Sequence, residues 1–296
     1  MKIVITDSGL GGISVCSEIE KLATKRKKFS KLELIFFNSL PGNGLGYNSM
    51  KSKSQKAEVF NSALESMQEK FNPDRILIAC NTLTSVYPLT EFSHKTVTPV
   101  VGVINFGVNL ALEEFKNNSN SFVLILGTPT TVNSLFYQQQ LLQRGVDEKR
   151  LLGQSCFMLE SEIQLNPFSP KVKRLIEKYL SEAKEKISNE YGQLIVIFGC
   201  THYTFSKKIF EEALSEKFSI PFHIVNPNNA MAESVFVGKG KNIDSPEVSV
   251  KLISQADIND DEKSGIGNLI KEESPKTYSA LLNPVINKNL FQYKLS

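Results

Sequence analysis

The chain lacks the features that mark several large classes of protein. Its 296 residues include no tryptophan and only three histidines, and its four cysteines form no CxxC pair, which disfavours a zinc site. No apolar run reaches the ~18 residues of a membrane span, and the N-terminal run ends at Asp7, too early for a signal peptide. A net charge of +3 is too small to indicate a nucleic acid or a membrane as partner. We therefore expect a cytoplasmic protein with reduced cysteines and no metal.

Short apolar runs alternate with longer segments of helical period along the chain. The runs are rich in β-branched residues and lie at 2–6, 32–37, 75–79, 100–104, 122–126, 150–154, 194–198 and 222–225. The helical segments lie near 11–28, 50–71, 82–93, 130–144, 170–190 and 203–218. Nearly continuous apolar strands separated by helices are typical of parallel sheets covered on both faces. The length of the chain indicates two domains.

The first part of the chain is echoed 120 residues later. Ser8 and Thr128 follow strand-like runs and differ by this offset, and so do Cys80 and Cys200. We interpret the echo as an internal duplication. It predicts an α/β fold of two similar doubly wound parallel-sheet domains, related by pseudo-two-fold symmetry, with the active site in the cleft between them. The alternative is chance, because strand–turn–helix units resemble one another.

Cys80 and Cys200 each follow a buried strand and precede a helix, where open α/β sheets bind their ligands. A helix N-terminus lowers the pKa of a thiol, so both side chains are candidates for acid–base chemistry. Two thiols that face one carbon from opposite sides suit a stereoinversion, since one removes a proton and the other returns one. Asp7 ends the first strand at the same sheet edge as Cys80, and His202 follows Cys200 by two residues. Both are candidates to assist the thiols.

Each of these features also has a simpler interpretation. A single buried cysteine is more often a small apolar side chain, and we interpret Cys16 and Cys156 in this way. The stretch "DSGLGG" at 7–12 fits a helix N-cap followed by a tight glycine turn, and it lacks the GxGxxG spacing and the P-loop lysine of nucleotide sites. The duplicated placement favours chemistry for Cys80 and Cys200, because the simpler interpretation would have to hold for both.

Three motifs carry a resemblance to a known family: "DSGLGGISV" at 7–15, "ACNTLTS" at 79–85 and "GCTHY" at 199–203. The segments "PVVGVI" at 99–104 and "GTPTTVNSLFY" at 127–137 extend it. Together they resemble the aspartate/glutamate racemase superfamily, and within it the glutamate racemases, over roughly the stretch from the N-terminus to residue 235. "GCTHY" discriminates best between members of the superfamily.

The resemblance implies a two-base racemase that uses no pyridoxal phosphate, no other cofactor and no metal. Cys80, assisted by Asp7, would remove the α-proton of the D-enantiomer, and Cys200, assisted by His202, that of the L-enantiomer. It further implies a supply of D-glutamate for peptidoglycan and a homodimer, without nucleic acid or membrane as partner. The implied domains are 1–98 plus 219–296, and 99–218. The residues implied to bind the amino-acid substrate are Ser8, Asn81, Thr82, Thr128, Thr131 and Thr201.

The chain departs from the family pattern around the substrate. The loop 38–52 lacks the family's Asp, Arg and Pro-Tyr-Gly triplet, and Gly46 and Tyr47 are our candidates for displaced substrate-binding residues. A family glutamate of the second half has only Glu160 and Glu162 as candidate matches. Because the loop is altered, aspartate or another amino acid stays an alternative substrate, and an amino-acid-binding protein with little turnover stays an alternative function.

The tail beyond about residue 235 is longer than in the family. Its segment 248–254 predicts one more strand. Its polar and charged segment 258–276 predicts a surface insertion or a mobile loop.

Overall fold

A computed structural model describes residues 1–42, 45–187, 190–238, 243–244 and 246–293. Residues 43–44 of the altered loop and residues 188–189, at the end of a predicted helical segment, lie outside this description. The strands are β1 Lys2–Asp7, β2 Lys31–Asn38, β3 Arg75–Ile78, β4 Val100–Gly102, β5 Ser121–Gly127, β6 Leu151–Ser155, β7 Gln193–Gly199, β8 Phe222–Val225, β9 Glu247–Ser254 and β10 Val285–Ile286.

The α-helices alternate with these strands. They are α1 Ile13–Arg26, α2 Lys53–Phe71, α3 Asn81–Val86, α4 Glu91–Lys95, α5 Ile104–Asn117, α6 Pro129–Ser134, α7 Phe136–Gln143, α8 Leu159–Leu165, α9 Pro170–Lys184, α10 Lys207–Lys217, α11 Pro227–Ser234, α12 Asp260–Ile270 and α13 Pro275–Leu282. Within the described ranges, none of them combines the length and the apolar character that a bilayer crossing requires.

Two parallel sheets organise the chain. The first has the strand order β10-β9-β2-β1-β3-β4 and the second has the order β6-β5-β7-β8. Every strand pairing in both sheets is parallel. The second sheet repeats the β2-β1-β3-β4 order of the first with each strand number raised by four. The fold is therefore the predicted pair of parallel-sheet α/β units, and the repeated order supports an internal duplication.

Alternation along the strands divides the apolar core. In β1, Ile3 and Ile5 belong to a core cluster that also includes Leu124 and Leu126 of β5. Val4, which lies between them, belongs to a separate cluster. Successive side chains of a strand point to opposite faces, so a strand buried on both sides reads as a continuous apolar run. This is why the apolar runs located the strands so well in the sequence.

The predicted domain boundaries differ from the sheets by one strand each. β4 lies in the predicted segment 99–218, yet it pairs with β3 in the first sheet, where Ile76 is opposite Val100. β8 lies in the predicted segment 219–296, yet it pairs with β7 in the second sheet, where Leu194 is opposite Phe222. β4 therefore completes the first sheet, and β8 completes the second sheet. At both places the chain passes to the other sheet one strand later than predicted.

Of the two alternatives for 258–276, the mobile loop is wrong, whereas a surface insertion agrees with the exposure of most of its residues. Most of it is α12, which begins at a capping box formed by Asn259 and Glu262, and which buries Ile266 and Ile270 on one face. The apolar side chains are few but spaced four residues apart, one helical turn, and the average polarity of the segment concealed them. The predicted strand at 248–254 is confirmed as β9, which pairs with β2 along its whole length.

A buried carboxylate fastens the end of the tail to the first half of the chain. Glu20 of α1 is 4% exposed. Its Oε1 accepts from the Lys276 backbone N–H at 3.0 Å, and its Oε2 accepts from the Thr277 N–H and hydroxyl, each at 2.7 Å. These N–H groups belong to the first turn of α13, where a helix has unpaired donors and favours an anion.

Replacing Glu20 by Ala should therefore destabilise the folded protein. The change leaves the buried Thr277 N–H and the partly buried Lys276 N–H without an acceptor, and we expect a loss of about 2 kcal/mol in the free energy of unfolding. Urea unfolding followed by circular dichroism measures it. Glu18→Ala is the matched control, because Glu18 lies on the same helix and forms a partly exposed ion pair with Lys21. A Glu20→Ala variant as stable as this control would contradict the assignment.

Candidate active site

The carboxyl ends of both sheets border one cavity of about 530 Å³. Asp7 comes from the end of β1, and the two cysteines follow β3 and β7, the equivalent strands of the two sheets. The structure therefore brings together residues far apart in the sequence. The predicted site residues that line the cavity are Asp7, Ser8, Gly46, Tyr47, Cys80, Asn81, Thr82, Thr128, Cys200, Thr201 and His202.

Cys80 is held at the start of α3. Its sulfur lies 3.2 Å from Ser8 Oγ and accepts from the Leu83 backbone N–H at 3.5 Å. Burial and, to a smaller extent, the nearby charge of Asp7 raise the pKa of the Cys80 thiol to about 12, against the weaker opposing effect of these hydrogen bonds. The expectation that a helix N-terminus lowers this pKa is therefore wrong, because desolvation outweighs the few N–H groups of a six-residue helix.

Cys200 lies on the opposite half of the cavity beside a histidine. Its sulfur is 3.6 Å from His202 Nδ1, within a short 3₁₀ turn that replaces the predicted start of a helix. Burial raises the pKa of the Cys200 thiol well above its ordinary value, and the charge of Glu160 adds to this effect. Burial also lowers the pKa of His202 to about 4, so its imidazole is neutral near pH 7.

Asp7 joins the two halves. Its buried carboxylate accepts from Thr201 Oγ1 at 2.8 Å. Burial raises the pKa of Asp7, and hydrogen bonds from the Thr201 and Cys80 side chains partly oppose the increase. Asp7 thus contacts the thiol of its own half and a hydroxyl that directly follows the other thiol.

The glycines after Asp7 permit this contact. A Cβ placed on Gly11 would lie 2.4 Å from Thr201 Oγ1 and 2.5 Å from His202 Nδ1. A Cβ on Gly12 would lie 3.0 Å from Asp7 Oδ2. Gly12 has an ordinary φ of −67° and caps α1 without a side-chain bond. The interpretation of "DSGLGG" as a helix N-cap with a glycine turn agrees with Gly12 at the N-cap of α1, and the glycines also permit the close approach between the halves.

Short polar side chains form the wall between the sheets. Thr82 Oγ1 lies 3.0 Å from Thr128 Oγ1, and Thr128 Oγ1 lies 3.1 Å from Thr131 Oγ1. Thr82 and Thr128 line the cavity, whereas Thr131 lies behind them and is not part of the lining. Asn81 Oδ1 accepts from the Tyr137 hydroxyl at 2.7 Å, and this bond leaves Asn81 Nδ2 buried without a partner among the described residues.

The altered loop closes the cavity from one side. The Tyr47 hydroxyl is buried there without a partner in the described part of the chain, and Asn48 Nδ2 donates to Glu160 Oε1 at 3.0 Å. A Cβ on Gly46 would meet no atom within 4 Å, so this glycine is not required by packing. The loop thus contacts the second half through Asn48, which directly follows Tyr47, a predicted substrate-binding residue.

Of the two candidate glutamates, only one borders the cavity. Glu160 lines it, and burial raises the pKa of its carboxyl group. Glu162 instead pairs with Lys171 at 2.6 Å. The sequence analysis missed Gln164 and Glu262, which also line the cavity. The available signals were weak: Gln164 lies one helical turn after Glu160, and Glu262 is the third residue of a helix that begins at a capping box.

Among the described residues, no group of three or more His, Cys, Asp or Glu side chains is placed to hold a metal ion. The described lining of the cavity offers thiols, carboxyl groups, hydroxyls, amides and an imidazole.

Comparison with known proteins identifies relatives over most of the chain. A glutamate racemase of Aquifex pyrophilus is 30% identical over 275 residues, which are 86% of this chain and 94% of that protein. The crystal structure of a glutamate racemase from Aquifex pyrophilus superimposes with a TM-score of 0.63 at 25% identity, covering 93% of this chain and 96% of that chain.

A structure of glutamate racemase from Francisella tularensis in complex with D-glutamate gives a TM-score of 0.67 at 21% identity, covering 97% of this chain and 95% of that chain, and it supports the fold. Residues 4–235 match the family described as Asp/Glu/Hydantoin racemase. This match spans both cysteines, Asp7 and His202. The chain therefore belongs to the Asp/Glu/Hydantoin racemase family of isomerases.

Proposed function

We propose that this chain is a cofactor-independent racemase that interconverts L- and D-glutamate by proton transfer between two cysteines. The observation that carries the proposal is the pair of thiols, Cys80 and Cys200, which follow equivalent strands of the two sheets and line one cavity. The glutamate racemases among its relatives support glutamate as the substrate.

The proposed reaction inverts the α-carbon in two proton transfers. The Cys200 thiolate takes the α-proton of L-glutamate, and the electron pair of the C–H bond stays on the substrate as a carbanion. The Cys80 thiol then donates its proton to the opposite face, which gives D-glutamate, a Cys80 thiolate and a Cys200 thiol. D-glutamate reacts by the reverse sequence. The raised pKa of both buried thiols makes each thiolate a strong base toward a weakly acidic α-proton.

Asp7 and His202 serve opposite halves in this scheme. The Asp7 carboxyl group faces Cys80 and exchanges protons with it, and the neutral His202 does the same for Cys200 through Nδ1. Ser8 contacts the Cys80 sulfur directly, so its hydroxyl stabilises the thiolate as well as bordering the substrate.

The unpartnered donors of the cavity suit a carboxylate. Asn81 Nδ2 and the Tyr47 hydroxyl are buried without partners among the described residues, and each can donate a hydrogen bond to a substrate oxygen. No lysine or arginine stands among the described side chains of the lining. We therefore propose that the amide of Asn81 and the hydroxyls of Thr82, Thr128 and Thr201 hold the amino acid, with Gly46 and Tyr47 at the loop and Thr131 orienting Thr128.

Because the loop 38–52 departs from the family pattern, aspartate or another amino acid stays an alternative substrate. The loop residues Gly46 to Asn48 border the cavity, so a change in the loop changes the surface that the substrate meets. A panel of L-amino acids that includes aspartate tests this alternative. Binding of glutamate without α-proton exchange would instead indicate a binding protein with little turnover.

The broader role follows from the reaction. D-glutamate produced here would supply peptidoglycan, and a reaction that needs free thiols suits a reducing compartment, which favours the cytoplasm. We also propose a homodimer. It is supported by the exposed apolar side chains of Phe157 and Met158, which border the cavity, and of Phe168.

Cysteine substitutions in deuterium oxide test the two-base reaction. The wild type should racemise both enantiomers and incorporate deuterium at the α-carbon. Cys80→Ser should still exchange the α-proton of L-glutamate, and Cys200→Ser that of D-glutamate, while racemisation falls by ~100-fold or more in each. Cys16→Ala is the control, since that thiol is buried against the tail. Full racemisation by either active-site variant, or no exchange by the wild type, would overturn the proposal.

Tyr137→Phe should weaken substrate binding. The phenol holds Asn81 Oδ1, and without it the Asn81 amide is free to rotate away from its donor position. We expect KM to rise by about tenfold, equivalent to ~1.4 kcal/mol, with a smaller change in kcat. Tyr191→Phe, which removes a hydroxyl bonded to Lys149 on the surface, should leave both constants unchanged. An unchanged KM in Tyr137→Phe would contradict the role assigned to Asn81.

The pH dependence of kcat/KM should follow the thiols. Because burial raises the pKa of both cysteines, the fraction of thiolate increases with pH, and kcat/KM should rise between about pH 6 and 9. No step is expected near about 6.5, where an ordinary histidine titrates, because the pKa of His202 is lowered to about 4. Initial rates across this range measure the profile, and a plateau that begins below pH 7 would contradict it.

A further inference from the structure

The tail reaches the active site through α12. The family match ends at residue 235, and Glu262 lies beyond it, yet its side chain borders the cavity. α12 approaches α8 closely at Gly265, where a Cβ would lie 2.3 Å from the Leu165 carbonyl oxygen and 2.9 Å from that of Gln164. Only glycine permits this distance. α12 therefore packs directly against Gln164, whose side chain contacts His202.

A chain of hydrogen bonds runs from Glu262 to Cys200. Gln164 Nε2 donates to Glu262 Oε1 at 2.6 Å, and Gln164 Oε1 lies 2.9 Å from His202 Nε2. On the other side of the imidazole, Nδ1 lies 3.6 Å from Cys200 Sγ. Two side chains, Gln164 and His202, thus connect a tail carboxylate to a thiol that we assign to proton transfer.

The donors and acceptors of this chain have only one consistent arrangement. The backbone N–H of Leu10 donates to Gln164 Oε1 at 2.9 Å, and a carboxylate can only accept, so the Gln164 oxygen must face Leu10 and its amide nitrogen must face Glu262. His202 Nε2 then meets an acceptor and must carry the ring proton. In a neutral imidazole this leaves Nδ1 unprotonated and directed at the Cys200 sulfur.

We propose that Glu262 is a positioning residue that, through Gln164, holds His202 in the tautomer whose free Nδ1 accepts the Cys200 proton. This inference rests on the proposed function for its consequence, although the tautomer itself does not depend on catalysis. In the proton transfer, the S–H bond breaks, a bond between the proton and Nδ1 forms, and the products are a thiolate and an imidazolium. The lowered pKa of His202 agrees with a ring that is neutral near pH 7, with Nδ1 unprotonated, and it makes the imidazolium a high-energy species.

Nuclear magnetic resonance of the full chain labelled with ¹⁵N-histidine tests the tautomer directly. The chain has three histidines, so the ring signals are few, and a His202→Asn variant assigns the relevant pair. In the ligand-free wild type at neutral pH we expect a protonated Nε2 and an unprotonated Nδ1. In Glu262→Ala, Gln164 can rotate its amide, and a population with protonated Nδ1 should appear.

Three further variants separate the bond to Gln164 from helix capping and charge. Glu262→Gln keeps the side-chain volume but has one acceptor oxygen for two donors, the Asn259 N–H and Gln164 Nε2, so it should also increase protonation at Nδ1. Asn259→Ala removes the other half of the capping box, and Asp261→Ala removes an exposed carboxylate of the same turn. Both should retain the wild-type tautomer.

Kinetics supply a second, separate readout. Glu262→Ala should lower kcat by about tenfold with little change in KM, a smaller loss than the ~100-fold or more expected when an acid or base is removed outright. An unchanged His202 tautomer in both Glu262 variants, or a wild type protonated at Nδ1, would overturn the inference even if racemisation is confirmed. A shifted tautomer in a protein without racemase activity would support the inference and refute the proposed function instead.

Discussion

The bond from Thr201 to Asp7 is the contact on which the site depends. It joins the end of β1 to the residue after Cys200, so it fixes the carboxyl edges of the two sheets relative to each other. This contact requires a glycine at position 11, because any side chain there would occupy the space of Thr201 and His202. With this contact in place, both thiols border the same cavity and each is buried enough for its pKa to rise.

Burial is also what distinguishes this site from a cysteine site built for nucleophilic attack. A reactive nucleophilic thiol usually has a lowered pKa, maintained by a helix N-terminus or a nearby cation. Here the pKa of Cys80 and of Cys200 is raised, and their neighbours are a carboxyl group, a hydroxyl and a neutral imidazole. Such thiols hold their protons firmly, and once ionised they are strong bases, which suits proton transfer at carbon.

The two halves have the same strand order but different assistants. Cys80 lies beside Ser8 and Asp7 from its own sheet, whereas Cys200 lies beside His202, whose ring contacts Gln164. The repeated strand order accounts for the equivalent places of the two thiols, and the different loops account for their unequal neighbours. The tail then adds α12 to one half only, so any influence of Glu262 falls on the Cys200 side.

The amino-acid sequence by itself determined the strands, their repeat, the places of both cysteines and about half of the lining, because buried parallel strands are locally apolar and motif residues follow them directly. It did not determine where the chain changes sheets, since β4 and β8 are assigned by hydrogen-bonded partners far away in sequence. Only the tertiary structure decided the raised thiol pKa, the place of Gln164 and the helix that carries Glu262. Desolvation and donor–acceptor orientation arise from what packs around a group, and no local pattern in the chain contains that information.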